Sequence, residues 1–127
     1  MVQDTRSPLA RASGLGPAGK GAAEWWAQRV SAVALVPLTL WFVIEIIAHM
    51  HSDYAGFLAW LRSPTGMIPM VLLLIALFHH AALGLKVVVE DYLHGLVKFS
   101  ALVAVRLGAV ALAVAGILAV LFIALSR

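Results

Sequence analysis

The chain has 127 residues and no cysteine, so it can supply no disulfide, thiolate metal site or iron–sulfur ligand. Hydrophobic residues make up 63%, charged residues 12%, and the mean hydropathy is +1.00, which leaves too little polar surface for a small soluble domain. The net charge of +3 forms no stripe on a soluble face, which excludes nucleic acid as the expected partner and leaves the membrane.

Residues 1–24, MVQDTRSPLARASGLGPAGKGAAE, are polar and rich in Gly, Pro and Ala, with no apolar h-region of a signal peptide. They read as a mostly irregular N-terminal arm on the membrane surface or as a disordered tail. Residues 25–127 read as one membrane domain with three apolar spans, at 26–50, 67–90 and 100–126. Each is near the ~20 residues that cross a hydrocarbon core as a helix. The predicted fold is all-α, with three transmembrane helices.

The segment HSDYAGFLAWLRSPTG joins the first two spans as a loop, and its Tyr54 and Trp60 suit an interface. DYLHGLVKFS joins the second span to the third. Arg6, Arg11, Lys20 and Arg29 precede or open the first span, Lys98 lies in the second connection, and Arg106 is early in the third span. The first connection offers only Arg62. This asymmetry places the N-terminus and second connection in the cytoplasm, and the first connection and C-terminus in the periplasm.

Within the spans, Pro37 is a point for a kink, and Glu45 lies one turn before His49 and can pair with it. Lys86 is close enough to the cytoplasmic interface to snorkel. Ala104 and Gly108, then Ala111, Ala115 and Ala119, form small-residue ridges on the third span. Such ridges suit close helix packing, against the chain's own helices or against a partner.

The chain holds five histidines. His49 is interfacial, and His51 and His94 lie in connections. His79 and His80 sit inside the second span, where an ionisable side chain marks a functional candidate. His80 and Asp91 are eleven positions apart, which at ~100° per residue puts them within about 20° on one helix face. Ala76 and Gly84 flank His80 one turn away on each side and leave room for a flat partner. His79 is flanked by the bulkier Ile75 and Leu83. Two readings of His80 stand at this point: an axial ligand to a haem iron, or an interhelical hydrogen bond without a cofactor. His49 lies on the order of 15 Å from the depth of His80, at 1.5 Å per residue. If His80 binds a haem iron, a second axial ligand is therefore expected from another chain. Two rival readings are an ion or proton pathway through Glu45, His49 and the histidine pair, and a structural scaffold without a cofactor.

His80 followed by Asp91-Tyr92 resembles the second helix of the hydrophobic membrane-anchor subunit of succinate dehydrogenase (succinate:ubiquinone oxidoreductase, respiratory complex II). GLGPAGKGAAEWWAQRVSAVALVPL, with its WWAQR, is similar to the start of the alphaproteobacterial members, and the resemblance covers nearly the whole chain. It implies a subunit of a bacterial inner-membrane complex of the tricarboxylic acid cycle, without succinate chemistry of its own. The implied partners are a three-helix cytochrome b subunit, an iron–sulfur subunit and a flavoprotein subunit. The implied cofactor is one haem b, shared with the cytochrome b subunit, and the substrate is ubiquinone. On this resemblance His80 is the axial ligand of the haem iron and Arg29 a haem-propionate partner. Tyr92 donates a hydrogen bond to a quinone carbonyl, with Asp91 as its acidic neighbour. The plain alternatives are headgroup snorkelling for Arg29, a helix-end charge for Asp91 and an aromatic-belt anchor for Tyr92.

Overall fold

The computed structural model describes residues 7–9 and 17–126. Among residues 17–126 the helices follow in the order α1 (Pro17–His49), α2 (Tyr54–Arg62), α3 (Pro64–Tyr92) and α4 (Gly95–Leu125). α1, α3 and α4 are long and apolar enough to cross a membrane. The protein is an all-helical, multi-pass membrane protein, and no strand occurs among the described residues.

The helices outrun the apolar spans because hydropathy marks hydrocarbon, while helix continues into the interface. α1 has 33 residues, about 50 Å at 1.5 Å per residue, against a hydrocarbon core of about 30 Å. Its start at Pro17 makes the last eight residues of the arm helical, and most of the rest of the arm lies outside the described residues. Proline suits a first helical turn, where its missing N–H has no partner to lose. The alanines at 18, 22 and 23 then favour continuation. Pro37 lies inside α1 without ending it.

The connection at 50–63 is not a plain loop, since it holds α2. Asp53 caps that helix by accepting from Gly56 N–H at 2.8 Å. Ser63 ends α2 and begins α3: its hydroxyl donates to Trp60 O at 2.6 Å and accepts from Gly66 N–H at 3.1 Å. Pro64 follows at the first position of α3. The corner is so tight that a Cβ on Gly66 would lie 2.3 Å from Trp60 O. At the other end, Leu93 and His94 are extended, and Gly95 opens α4 with φ of 62°. That left-handed φ suits glycine.

α3 is the middle element and packs against α1 on one side and α4 on the other. Both pairs run antiparallel. Glu24 meets Lys86 and Ser31 meets His80 across α1 and α3. A Cβ on Gly116 of α4 would touch Leu74 of α3, and Arg62 reaches Ile123 O at 3.2 Å. Arg62 thereby supplies a donor to the last turn of α4, whose carbonyls lack helical partners. Leu61 and Leu73 are the buried apolar side chains, and Ser31 is buried with them. Apolar side chains facing lipid need no such burial, so a thin layer of three helices is stable there. The ridge residues Ala104, Ala111, Ala115 and Ala119 are exposed, and nothing lies within 4 Å of a Cβ built on Gly108. The ridge turns away from the chain's own helices.

Candidate functional site

The antiparallel register of α1 and α3 builds the site. From Glu24 beside Lys86, α1 climbs through Gln28, whose amide lies 3.7 Å from a Cβ built on Gly84, to Ser31 beside His80. Ser31 Oγ is 3.0 Å from His80 Nδ1 and 3.0 Å from the carbonyl oxygen of Gln28. Ser31 is 6% exposed, so this polar contact is shielded between the helices.

The proton on this bond follows from the donor inventory. A hydroxyl has one proton and two lone pairs. The Gln28 carbonyl can only accept, so the Ser31 proton goes to it. What Ser31 then offers His80 is a lone pair, so Nδ1 carries the ring proton and donates. In a neutral imidazole that leaves Nε2 unprotonated. Nε2 makes no hydrogen bond among the described residues. A metal-binding histidine needs this arrangement, with one nitrogen tied to an orienting group and the other holding a free lone pair. One turn away, Gln28 Oε1 is buried without a hydrogen-bond partner among the described residues.

His79 takes another side of α3. It lines a groove of about 480 Å³ between α3 and α4, with Leu83, Lys86, Arg106 and Ala109 among its walls. It makes no hydrogen bond among the described residues. The adjacent histidines thus face different surroundings, and only His80 is held by a polar neighbour.

No other histidine reaches the level of this pair. His49 is eighteen residues beyond Ser31 on α1, about 27 Å along the axis, which enlarges the separation expected from the sequence. It is occupied locally: its Nδ1 lies 2.9 Å from Glu45 O and 3.5 Å from Glu45 Oε2, and its ring sits 4.9 Å from that of Trp60. His51 and His94 are exposed at opposite ends of the helices. Groups of three or more His, Cys, Asp or Glu arranged for a metal ion are absent among the described residues. The donor set is a single imidazole, which fits one axial position on a metal held mainly by a macrocycle and not a protein-only ion site.

The remaining site residues are spread. Asp91 and Tyr92 are exposed on the last turn of α3, about 16 and 18 Å along the axis from His80. Tyr92 is 78% exposed at the corner before α4. Arg29 is exposed, with its guanidinium carbon 5.2 Å from the centre of the Trp25 ring. It lies about 200° around α1 from Ser31, so the structure does not gather it with His80. Lys86 does more than snorkel: it forms an ion pair with Glu24 and lies 3.9 Å from Glu90. The early start of α1 makes this pair, because it puts Glu24 on a helix instead of in an irregular arm.

Three membrane-length helices, with a shielded serine–histidine contact between two of them, define a helical multi-pass membrane protein. Residues 3–125 match the family described as succinate dehydrogenase/fumarate reductase transmembrane subunit. The succinate dehydrogenase hydrophobic membrane anchor subunit of Rickettsia bellii (strain RML369-C) is 32% identical over 96% of this chain and 98% of its own length. The subunit of that name from Paracoccus denitrificans is 31% identical over 76% of this chain and 75% of its own. That of Rickettsia conorii (strain ATCC VR-613 / Malish 7) is 28% identical over 73% and 75%. No solved structure shows a significant match. The chain belongs to the succinate dehydrogenase/fumarate reductase transmembrane subunit family.

Proposed function

We propose that this chain, a membrane-anchor subunit of succinate dehydrogenase, presents His80 to a haem b shared with a three-helix cytochrome b subunit and lends Tyr92 and Asp91 to a ubiquinone-reduction site. The observation that carries the reading is the Ser31–His80 contact, which leaves Nε2 as a free lone pair. The haem would supply a one-electron redox centre within the membrane. Arg29, exposed at the start of the apolar part of α1, would offer a propionate a charge-assisted hydrogen bond. A second histidine ligand would have to come from the partner subunit, since His49 and His94 lie far from His80 along the helices.

Tyr92 acts as a neutral donor. Its phenol O–H can donate a hydrogen bond to a quinone carbonyl without bringing a charge into the membrane edge. Asp91, beside it, can accept and release a proton or hold a water in the quinone's hydrogen-bond network. An iron–sulfur subunit, itself joined to a flavoprotein subunit, would cover this end of α3 and supply the electrons derived from succinate. The distribution of basic residues places that end, the N-terminus and the α3–α4 corner in the cytoplasm and the C-terminus in the periplasm of a bacterial inner membrane.

The test is purification of a tagged chain from its native membrane in mild detergent. The expected result is three copurifying polypeptides and a b-type absorbance spectrum. Copurification of the same polypeptides without haem would overturn the haem-sharing part and leave a scaffold.

A further inference from the structure

We infer that Ser31 is a positioning residue for the haem ligand: its hydroxyl fixes the His80 imidazole in the Nδ1–H tautomer and sets its orientation and donor strength. This rests on the haem reading above. Two contacts of equal length at one buried oxygen carry it, 3.0 Å to Gln28 O and 3.0 Å to His80 Nδ1.

The serine's place on α1 makes the arrangement. A serine hydroxyl inside a helix can bond back to a carbonyl one turn earlier, as Ser31 does to Gln28. That bond commits the only hydroxyl proton and aims a lone pair across the helix gap at α3. It also polarises the oxygen, which strengthens it as an acceptor for the imidazole N–H. The chain Gln28 carbonyl, Ser31 hydroxyl, His80 ring therefore has a single direction. An alanine at 31 would leave the Nδ1–H without this acceptor in a shielded place, and the ring would lose both its tautomeric preference and its hold against rotation.

The electronic consequence has a definite sign. A hydrogen bond from Nδ1 raises the basicity of Nε2, and a more basic axial ligand favours the oxidised iron. Removing the acceptor should therefore make the haem easier to reduce. A net hydrogen bond alters an equilibrium by about two- to tenfold, and tenfold corresponds to about 59 mV for a one-electron couple.

The experiment compares the wild-type complex with Ser31→Ala and Ser31→Thr, purified intact. The readouts are haem per complex, the haem midpoint potential and the g-values of the low-spin ferric signal. The expected result for Ser31→Ala is retained haem, a positive shift equivalent to a two- to tenfold change, and altered g-values. Ser31→Thr, which keeps the hydroxyl, should return both towards wild type. Unchanged potential and g-values in Ser31→Ala with haem in place would overturn the inference, as would Ser31→Thr behaving like Ser31→Ala. If Ser31→Ala empties the site, haem retained by Ser31→Thr supports the hydroxyl's role, and haem lost from both overturns it. The underlying reading fails separately: a low-spin bis-histidine signal that survives His80→Ala removes the haem ligand itself.

Discussion

Tyr92→Phe isolates the quinone contact, because it keeps the ring, its size and its interfacial preference and removes only a donor. Tyr92 is 78% exposed in the chain, and its hydroxyl has no partner among the described residues, so its removal should not weaken the fold. A loss confined to quinone reduction would then belong to the proposed contact with quinone. A neutral hydrogen bond contributes about 0.5–1.5 kcal/mol net, and a buried partner left unpaired costs about 1–3 kcal/mol. At about 1.4 kcal/mol per decade, the expected loss of quinone reduction is roughly tenfold and can approach a hundredfold. The assay pairs succinate:ubiquinone reductase activity with succinate oxidation by a dye that takes electrons before the membrane. The first should fall and the second should stay near wild type. Haem content should also hold, since Tyr92 is about 18 Å along α3 from His80. Full retention of quinone reduction would refute the donor role and leave Tyr92 as an interfacial anchor. Equal loss of both activities would point to failed assembly instead.

Gly66→Ala should destabilise the complex by about 1–3 kcal/mol, because the added methyl would sit 2.3 Å from the Trp60 carbonyl and the α2–α3 corner would have to open. Gly21→Ala, with open space at its Cβ and outside the apolar spans, is the control, and thermal inactivation in detergent distinguishes the two. A reporter fused after Arg127 should read as periplasmic and one inserted at His94 as cytoplasmic. A cytoplasmic C-terminus would reject the proposed orientation.

The three long helices were legible because a membrane asks for something hydropathy measures directly, a run of about twenty apolar residues. Their true ends were not, since Pro17–Glu24 and Pro64–Gly66 are helical beyond the apolar runs. α2 was also hidden, although Asp53 and the Ser63-Pro64 pair carry ordinary helix-start signals. Spacing and small flanks separated His80 from His79 in the sequence, and the structure gives the two rings different neighbours. Ser31 could not be read this way. It lies forty-nine residues from His80, and only the register of α1 against α3 brings the two together. The Glu24–Lys86 ion pair is hidden for the same reason: its partners lie sixty-two residues apart, and Glu24 precedes the apolar run of α1. Arg29 shows the opposite limit, since its place in WWAQR suggests a role that its isolated position on α1 neither gathers with His80 nor replaces.

The central claim of the proposal is that His80, and not His79, would hold the haem, and paired substitutions in the intact complex test it most directly. His80→Ala and His79→Ala would each be purified with all partner subunits, and the low-spin haem spectrum measured beside the wild type. The predicted result is loss or conversion of the bis-histidine signal in His80→Ala and its retention in His79→Ala, whose ring lies on the α4 side of α3. Loss of the signal in His79→Ala with its retention in His80→Ala would contradict the account.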